Sequence, residues 1–125
     1  MIKVAIVDDN EVFLQEMKRE VESSGEFTEG MACDTYADGM EFLQTDNGAY
    51  QLVILDMQME GIGGYGIAEK LRERDKFAVI AFVSGVVLPK PEHFRVQPYR
   101  YLIKGSDTDR MRRDIEELLQ ETKRR

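Results

Sequence analysis

Two kinds of segment alternate along this chain, and that alternation limits the fold more than any other feature. Short apolar runs rich in β-branched residues stand at 2–7, 31–37 (the weakest), 52–55, 77–83 and 99–103. Between them, apolar residues recur at helical spacing. Asn10 is placed to cap a helix that buries Phe13, Leu14, Met17 and Val21 and ends near Ser24 and Gly25. Asp38 begins a short one carrying Met40, Phe42 and Leu43, and Gly64 opens one carrying Ile67, Ala68 and Leu71. Asp107 caps the last, with Met111, Ile115, Leu118 and Leu119 on one stripe. Strand and helix in turn, ending on a helix, predict a parallel sheet covered on both faces. The runs 2–7, 52–55 and 78–83 are apolar with little alternation, as strands buried on both faces are, so they are predicted to be central. Residues 86–91, with Pro89 and Pro91, stand where a fourth helix belongs and allow only a short or late-starting one.

A length of 125 residues suits one domain with a core of ordinary size. The formal net charge of -7 argues against nucleic-acid binding by this chain. Its one dense basic run is the end, Lys123 to Arg125, with Arg110, Arg112 and Arg113 a few turns earlier, and it reads as a helix end whose cations suit the helix dipole. A single cysteine, Cys33, excludes an internal disulfide and a cysteine-based zinc cluster, and reads as core. The first apolar run stops at Asp8, too short for a signal peptide or a membrane span, so a cytoplasmic location with no membrane contact is expected. His93, the one histidine, lacks metal-ligating partners at usable spacing and reads as a surface residue. Gly61, Gly63, Gly64 and Gly66 lack the following Lys-Ser/Thr of a nucleotide loop and read as a flexible turn into the third helix. Met59 reads as core filler, and Glu116, Glu117 and Glu121 as a solvated helix face.

The chemistry lies at the strand ends. The first strand runs into Asp8 and Asp9, the third ends in Asp56, the fourth in Ser84 and the fifth in Lys104. In a parallel sheet these ends share one edge, the edge at which open α/β sheets bind ligands. Three carboxylates close together repel unless a cation joins them, and an oxygen-only set suits a hard ion, Mg²⁺ above all. A carboxylate can attack a phosphoryl group to form an acyl phosphate, with the metal and a lysine neutralising the charge on the transferring oxygens. Asp56, in the middle of the patch, is the natural acceptor; Asp8 and Asp9 suit the metal, and Ser84 can donate a hydrogen bond to the new group.

With these residues in place, the whole chain resembles the receiver domain of bacterial two-component response regulators. The resemblance rests on Asp8 and Asp9, on Leu52 to Asp56, on the stretch from Met59 to Gly64, on Ser84 with Gly85, and on Tyr101 to Lys104. The segment 94–104 is similar to receivers of LytTR-type regulators, so residues 1–125 are expected to be the N-terminal receiver of a longer regulator with a C-terminal LytTR-type DNA-binding domain.

The resemblance implies a flavodoxin-like three-layer α/β sandwich: a five-stranded parallel sheet of order 2-1-3-4-5 with five helices. It implies transfer from a sensor histidine kinase to Asp56 with Mg²⁺ or Mn²⁺, held by Asp8, Asp9, Asp56 and the backbone carbonyl of Met57. Lys104 and Ser84 would bind the phosphoryl group, Tyr101 would turn inward, and Gln58 would tune the lifetime of the adduct. The surface of the fourth helix, fifth strand and fifth helix would then change, with control of transcription as the output and a homodimer on activation. The domain would catalyse its own phosphorylation and dephosphorylation without being an enzyme for another substrate.

This chain departs from the family pattern in three places. Gly105 follows Lys104 where receivers usually carry proline, so a looser loop is expected; Glu60 stands where proline is common; and Pro89 and Pro91 disturb the fourth helix. Two other functions compete: a pseudo-receiver that binds proteins without phosphate, and an aspartate-nucleophile phosphohydrolase. The latter needs a second aspartate two residues after the nucleophile, where this chain has Gln58.

Overall fold

The computed structural model describes every residue except 47, 60 and 86–89, so the expectations for Glu60 and Pro89 fall outside the described residues. Five parallel strands, β1 (Ile2–Val7), β2 (Met31–Tyr36), β3 (Leu52–Asp56), β4 (Val79–Ser84) and β5 (Arg100–Ile103), form one sheet of order 2-1-3-4-5. The described helices are α1 (Glu11–Ser23), α2 (Gly39–Thr45), α3 (Gly64–Arg74), a 3-10 helix (Pro91–Val96) and α4 (Thr108–Arg124). With the 3-10 helix as the fourth helical segment, this is the predicted flavodoxin-like sandwich, and α4 is the fifth segment.

Neighbouring side chains on each central strand go to opposite layers. Val4, Ile6, Leu52 and Ile54 pack with Leu14, Met17 and Val21 of α1 and with Ile115, Leu118 and Leu119 of α4. Ala5, Val7, Val53 and Leu55 pack on the other face, with Phe42 of α2 and with Ile67, Ala68 and Leu71 of α3. Both layers bury these strands, which explains their unbroken apolar character. The helix starts match the sequence. The side chains of Asn10, Asp38 and Asp107 accept hydrogen bonds from the backbone N–H groups of Phe13, of Met40 and Glu41, and of Arg110.

Four readings need correction. Met40 is exposed, because the seven-residue α2 turns only Phe42 and Leu43 into the core. Glu121 is buried and paired with Arg124 and Arg125, so it is not part of a solvated face. Gly64 is not a flexible turn residue. It opens α3 against the backbone of Asp56, where a Cβ would collide with the carbonyl oxygen. Gly61, by contrast, takes a left-handed φ of 76°, which glycine adopts at little cost.

His93 is the fourth correction. It is 5% exposed and lies in the 3-10 helix. Its Nδ1 accepts from the backbone N–H of Lys90 at 3.2 Å, and its ring lies against Tyr65, Phe82 and Tyr101. Arg72 of α3 holds the other end of this segment, donating from Nε to the carbonyl of Val96 at 2.6 Å and from a terminal nitrogen to that of Gln97 at 3.3 Å. Gln97 itself has a φ of 52°. Pro91 thus opens a tight 3-10 turn, folded inward on a histidine and clamped by an arginine.

Candidate functional site

The carboxyl ends of β1, β3, β4 and β5 bring the predicted residues together. Parallel pairing sets Asp56 beside Val83, so Ser84 lies one residue further along the neighbouring strand. Ser84 pairs with Ile103, which puts Lys104 just beyond it, and the N–H of Lys104 donates to the carbonyl of Ser84 at 2.9 Å. Asp8 follows β1, and its N–H donates to the carbonyl of Tyr36 at 3.1 Å. The N–H of Met57 donates to Val83 at 2.9 Å, fixing the backbone directly after Asp56.

Carboxylate oxygens of Asp8, Asp9 and Asp56 lie within 4.8 Å of one another; Asp8 and Asp56 are buried and Asp9 is exposed. Asp8 Oδ1 accepts from the N–H of Asn10 at 2.8 Å, while its buried Oδ2 has no hydrogen-bond donor among the described residues and lies 3.0 Å from Lys104 Nζ. Asp56 Oδ1 accepts from the N–H of Gln58 at 3.3 Å, and Oδ2 lies 3.5 Å from Lys104 Nζ. Burial, and then the negative charge of Asp8, push the Asp56 carboxyl up to about 6, against the pull of the Gln58 N–H and of Lys104. An electron-rich pocket of this kind, with an under-coordinated buried oxygen, fits a hard divalent cation, since one lysine does not balance three carboxylates.

The other predicted residues lie around this cluster. Gln58 is exposed beside it. Tyr101 is not in the acidic group. It is on β5, next to Phe82 and His93, with ring centroids 5.4 and 6.1 Å away, and its buried hydroxyl has no hydrogen-bond partner among the described residues. Two contacts escaped the sequence reading. Phe13 of α1 lies under the Lys104 ammonium, 4.5 Å from Nζ to ring centroid. An aromatic residue four positions after Asp9 was the available signal, but it reads equally well as core. The second is Arg72, whose clamp on Val96 and Gln97 has no local sequence signature. Gly105 has a φ of 84°, which a proline ring could not adopt, and the loop closes with the N–H of Ser106 on the carbonyl of Ile103 at 3.2 Å. No helix among the described residues is long and apolar enough to cross a membrane.

A doubly covered parallel sheet with an acidic cluster and a lysine at its carboxyl edge defines an α/β ligand-site protein of the flavodoxin-like class. The response regulator receiver domain family matches residues 4–116, and the chain belongs to that family. Over 94 residues it is 31% identical to hybrid signal transduction histidine kinase L of Dictyostelium discoideum, a match that spans 67% of this chain and 5% of that protein.

Among solved structures, the response regulatory domain of protein mrkE from Klebsiella pneumoniae is similar with a TM-score of 0.81, at 20% identity over 99% of this chain and 100% of that one. A receiver domain protein from Methanospirillum hungatei has a TM-score of 0.79 at 21% identity, covering 99% of this chain and 98% of that one. These two likenesses show the fold. A chain in the crystal structure of histidine kinase ThkA in complex with response regulator protein TrrA is 28% identical, with a TM-score of 0.75, over 95% of this chain and 99% of that one.

Proposed function

We propose that this receiver domain takes a phosphoryl group onto Asp56 and uses it as a signalling switch. The observation that carries the reading is the meeting of Asp8, Asp9 and Asp56 within 4.8 Å under the ammonium of Lys104. Asp8, Asp9, Asp56 and the Met57 carbonyl would hold Mg²⁺ or Mn²⁺, which supplies charge neutralisation for the phosphoryl oxygens. Oδ2 of Asp56 attacks phosphorus, the donor's bond to phosphorus breaks, and the donor leaves with that electron pair. Lys104 pairs with the transferred group and Ser84 donates a hydrogen bond to it. Gln58, exposed beside Asp56, tunes how fast water removes the adduct.

Complex formation of histidine kinase ThkA with the regulator TrrA supports a sensor histidine kinase as the donor. The output surface is the 3-10 segment with β5 and α4, biased by Tyr101 and used for homodimerisation on activation. The likeness of segment 94–104 to LytTR-type receivers supports transcription control through a DNA-binding domain elsewhere in a longer regulator, with no nucleic-acid contact by this domain and a cytoplasmic location.

Intact-mass spectrometry after mixing with Mg²⁺ and acetyl phosphate tests the acceptor. Wild type should gain one base-labile phosphoryl group and Asp56→Asn none. An equally labelled Asp56→Asn would move the acceptor elsewhere, and an unlabelled wild type that also ignores beryllium fluoride would favour the pseudo-receiver.

A further inference from the structure

We propose that Phe13 is a positioning residue for Lys104, holding the ammonium over the acidic pocket through the face of its ring. The proposal rests on the reading of Asp56 and Lys104 given above, and it adds a residue to that site.

Lys104 Nζ lies close to Asp8 Oδ2 at 3.0 Å, Asp56 Oδ2 at 3.5 Å and the Phe13 ring centroid at 4.5 Å. The last distance is well inside the range at which a cation is attracted to an aromatic face. The contact follows from the local fold. The N–H of Asn10 donates to Asp8 Oδ1, and Asn10 Oδ1 caps α1 by accepting from the N–H of Phe13 at 3.1 Å. The first turn of α1 is therefore fixed to the aspartate that Lys104 touches, with Phe13 on that turn. On the other side, the Lys104 backbone is anchored by its bond to the carbonyl of Ser84. The side chain is one-quarter exposed, and Gly105 follows it with a left-handed φ.

These holds on the ammonium differ in kind. Two are carboxylates, and the same carboxylates form the cluster suited to a divalent cation. Once they hold such a cation, their charge no longer retains Lys104, and like charges favour its departure to solvent. The ring is neutral and does not serve as a ligand. Its attraction survives metal loading and keeps the lysine where an incoming phosphoryl oxygen needs it. Preorganising a charge in this way spares reorganisation during transfer.

Phe13 also packs against the α1/α4 face of the core, so a simple truncation would mix packing with positioning. The test therefore replaces Phe13 with phenylalanine carrying one to three ring fluorines, which keeps the shape and drains the ring face, alongside Phe13→Leu and Phe13→Tyr. In the metal-free protein, the ring current of Phe13 should shift the Lys104 Hε resonances upfield, and Phe13→Leu should abolish the shift. With Mg²⁺ and acetyl phosphate, phosphorylation should slow stepwise with each fluorine and about fivefold in Phe13→Leu. Phe13→Tyr should stay within about twofold of wild type.

A rate that ignores fluorination, or an equal loss in Phe13→Leu and Phe13→Tyr, would reduce Phe13 to a packing residue and overturn the proposal. A wild type that takes no phosphoryl group would instead remove the acceptor reading. The ring-current shift would then decide alone whether Phe13 holds Lys104, and its absence would overturn the hold as well.

Discussion

Removing one negative charge from the pocket should make the metal-free protein more stable. Asp56 is 3% exposed and faces Asp8, and its carboxyl is pushed from 3.8 up to about 6. The folded state therefore binds this proton more tightly than the unfolded chain does. The stability linked to it is complete below pH 3.8 and is lost as the pH rises through about 6. At about 1.4 kcal/mol per unit, the whole shift corresponds to about 3 kcal/mol. Water reaches the edge of the sheet and screens part of this, so the ionised carboxylate should cost the folded state about 1–2 kcal/mol at pH 7.

Asp56→Asn keeps an oxygen for the Gln58 N–H and loses the charge. In urea titrations with a chelator at pH 7, the variant should exceed wild type by about 1–2 kcal/mol, or about 5 °C in Tm. At pH 3.8 the two curves should nearly coincide. Saturating Mg²⁺ should reverse the order at pH 7, because it stabilises the intact carboxylate set by mass action. A metal-free variant no more stable than wild type at pH 7, or a gain that persists undiminished at pH 3.8, would refute charge repulsion as the dominant strain in this pocket.

Three further outcomes follow from the packing. Gly64→Ala should lose about 1–3 kcal/mol in urea denaturation, because its Cβ meets the Asp56 carbonyl and neither backbone can yield cheaply; an unchanged midpoint would show that α3 shifts freely. His93→Ala should lose about 2–4 kcal/mol and His93→Phe about 1, since the site is buried among three aromatic rings and only the ring fills it; equal losses would assign the stability to the Lys90 hydrogen bond instead. Arg72→Ala frees the carbonyls of Val96 and Gln97, so amide hydrogen exchange across 91–97 should speed up at least tenfold while β3 stays protected; unchanged exchange would mean that His93 alone holds the segment.

The strand ends were legible because a parallel sheet turns sequence order into spatial order. Once residues 2–7, 52–55 and 78–83 read as central buried strands, Asp8, Asp56 and Ser84 at their ends were expected at one edge, and the sheet order places them there. The caps at Asn10, Asp38 and Asp107 were legible for a similar reason, since a cap acts within one turn of its own helix. Burial of His93 was not. A histidine between prolines has no periodicity to place it, and its environment comes from Tyr65, Phe82 and Tyr101 on three other elements. Glu121 misled for a different reason: its partners Arg124 and Arg125 lie within one turn, but such pairs form as readily on a solvated face as on a buried one.

The sequence by itself determined the layers, the strand order's central members and the residues gathered at the carboxyl edge, because each depends on patterns within a few residues or on the rules of parallel connection. Only the tertiary structure decided what restrains those residues. The ring of Phe13 under Lys104, the close approach of Gly64 to Asp56 and the Arg72 clamp on Gln97 join elements separated in sequence. Such contacts depend on how side chains fill the space between packed layers, and that space exists only after the chain has folded.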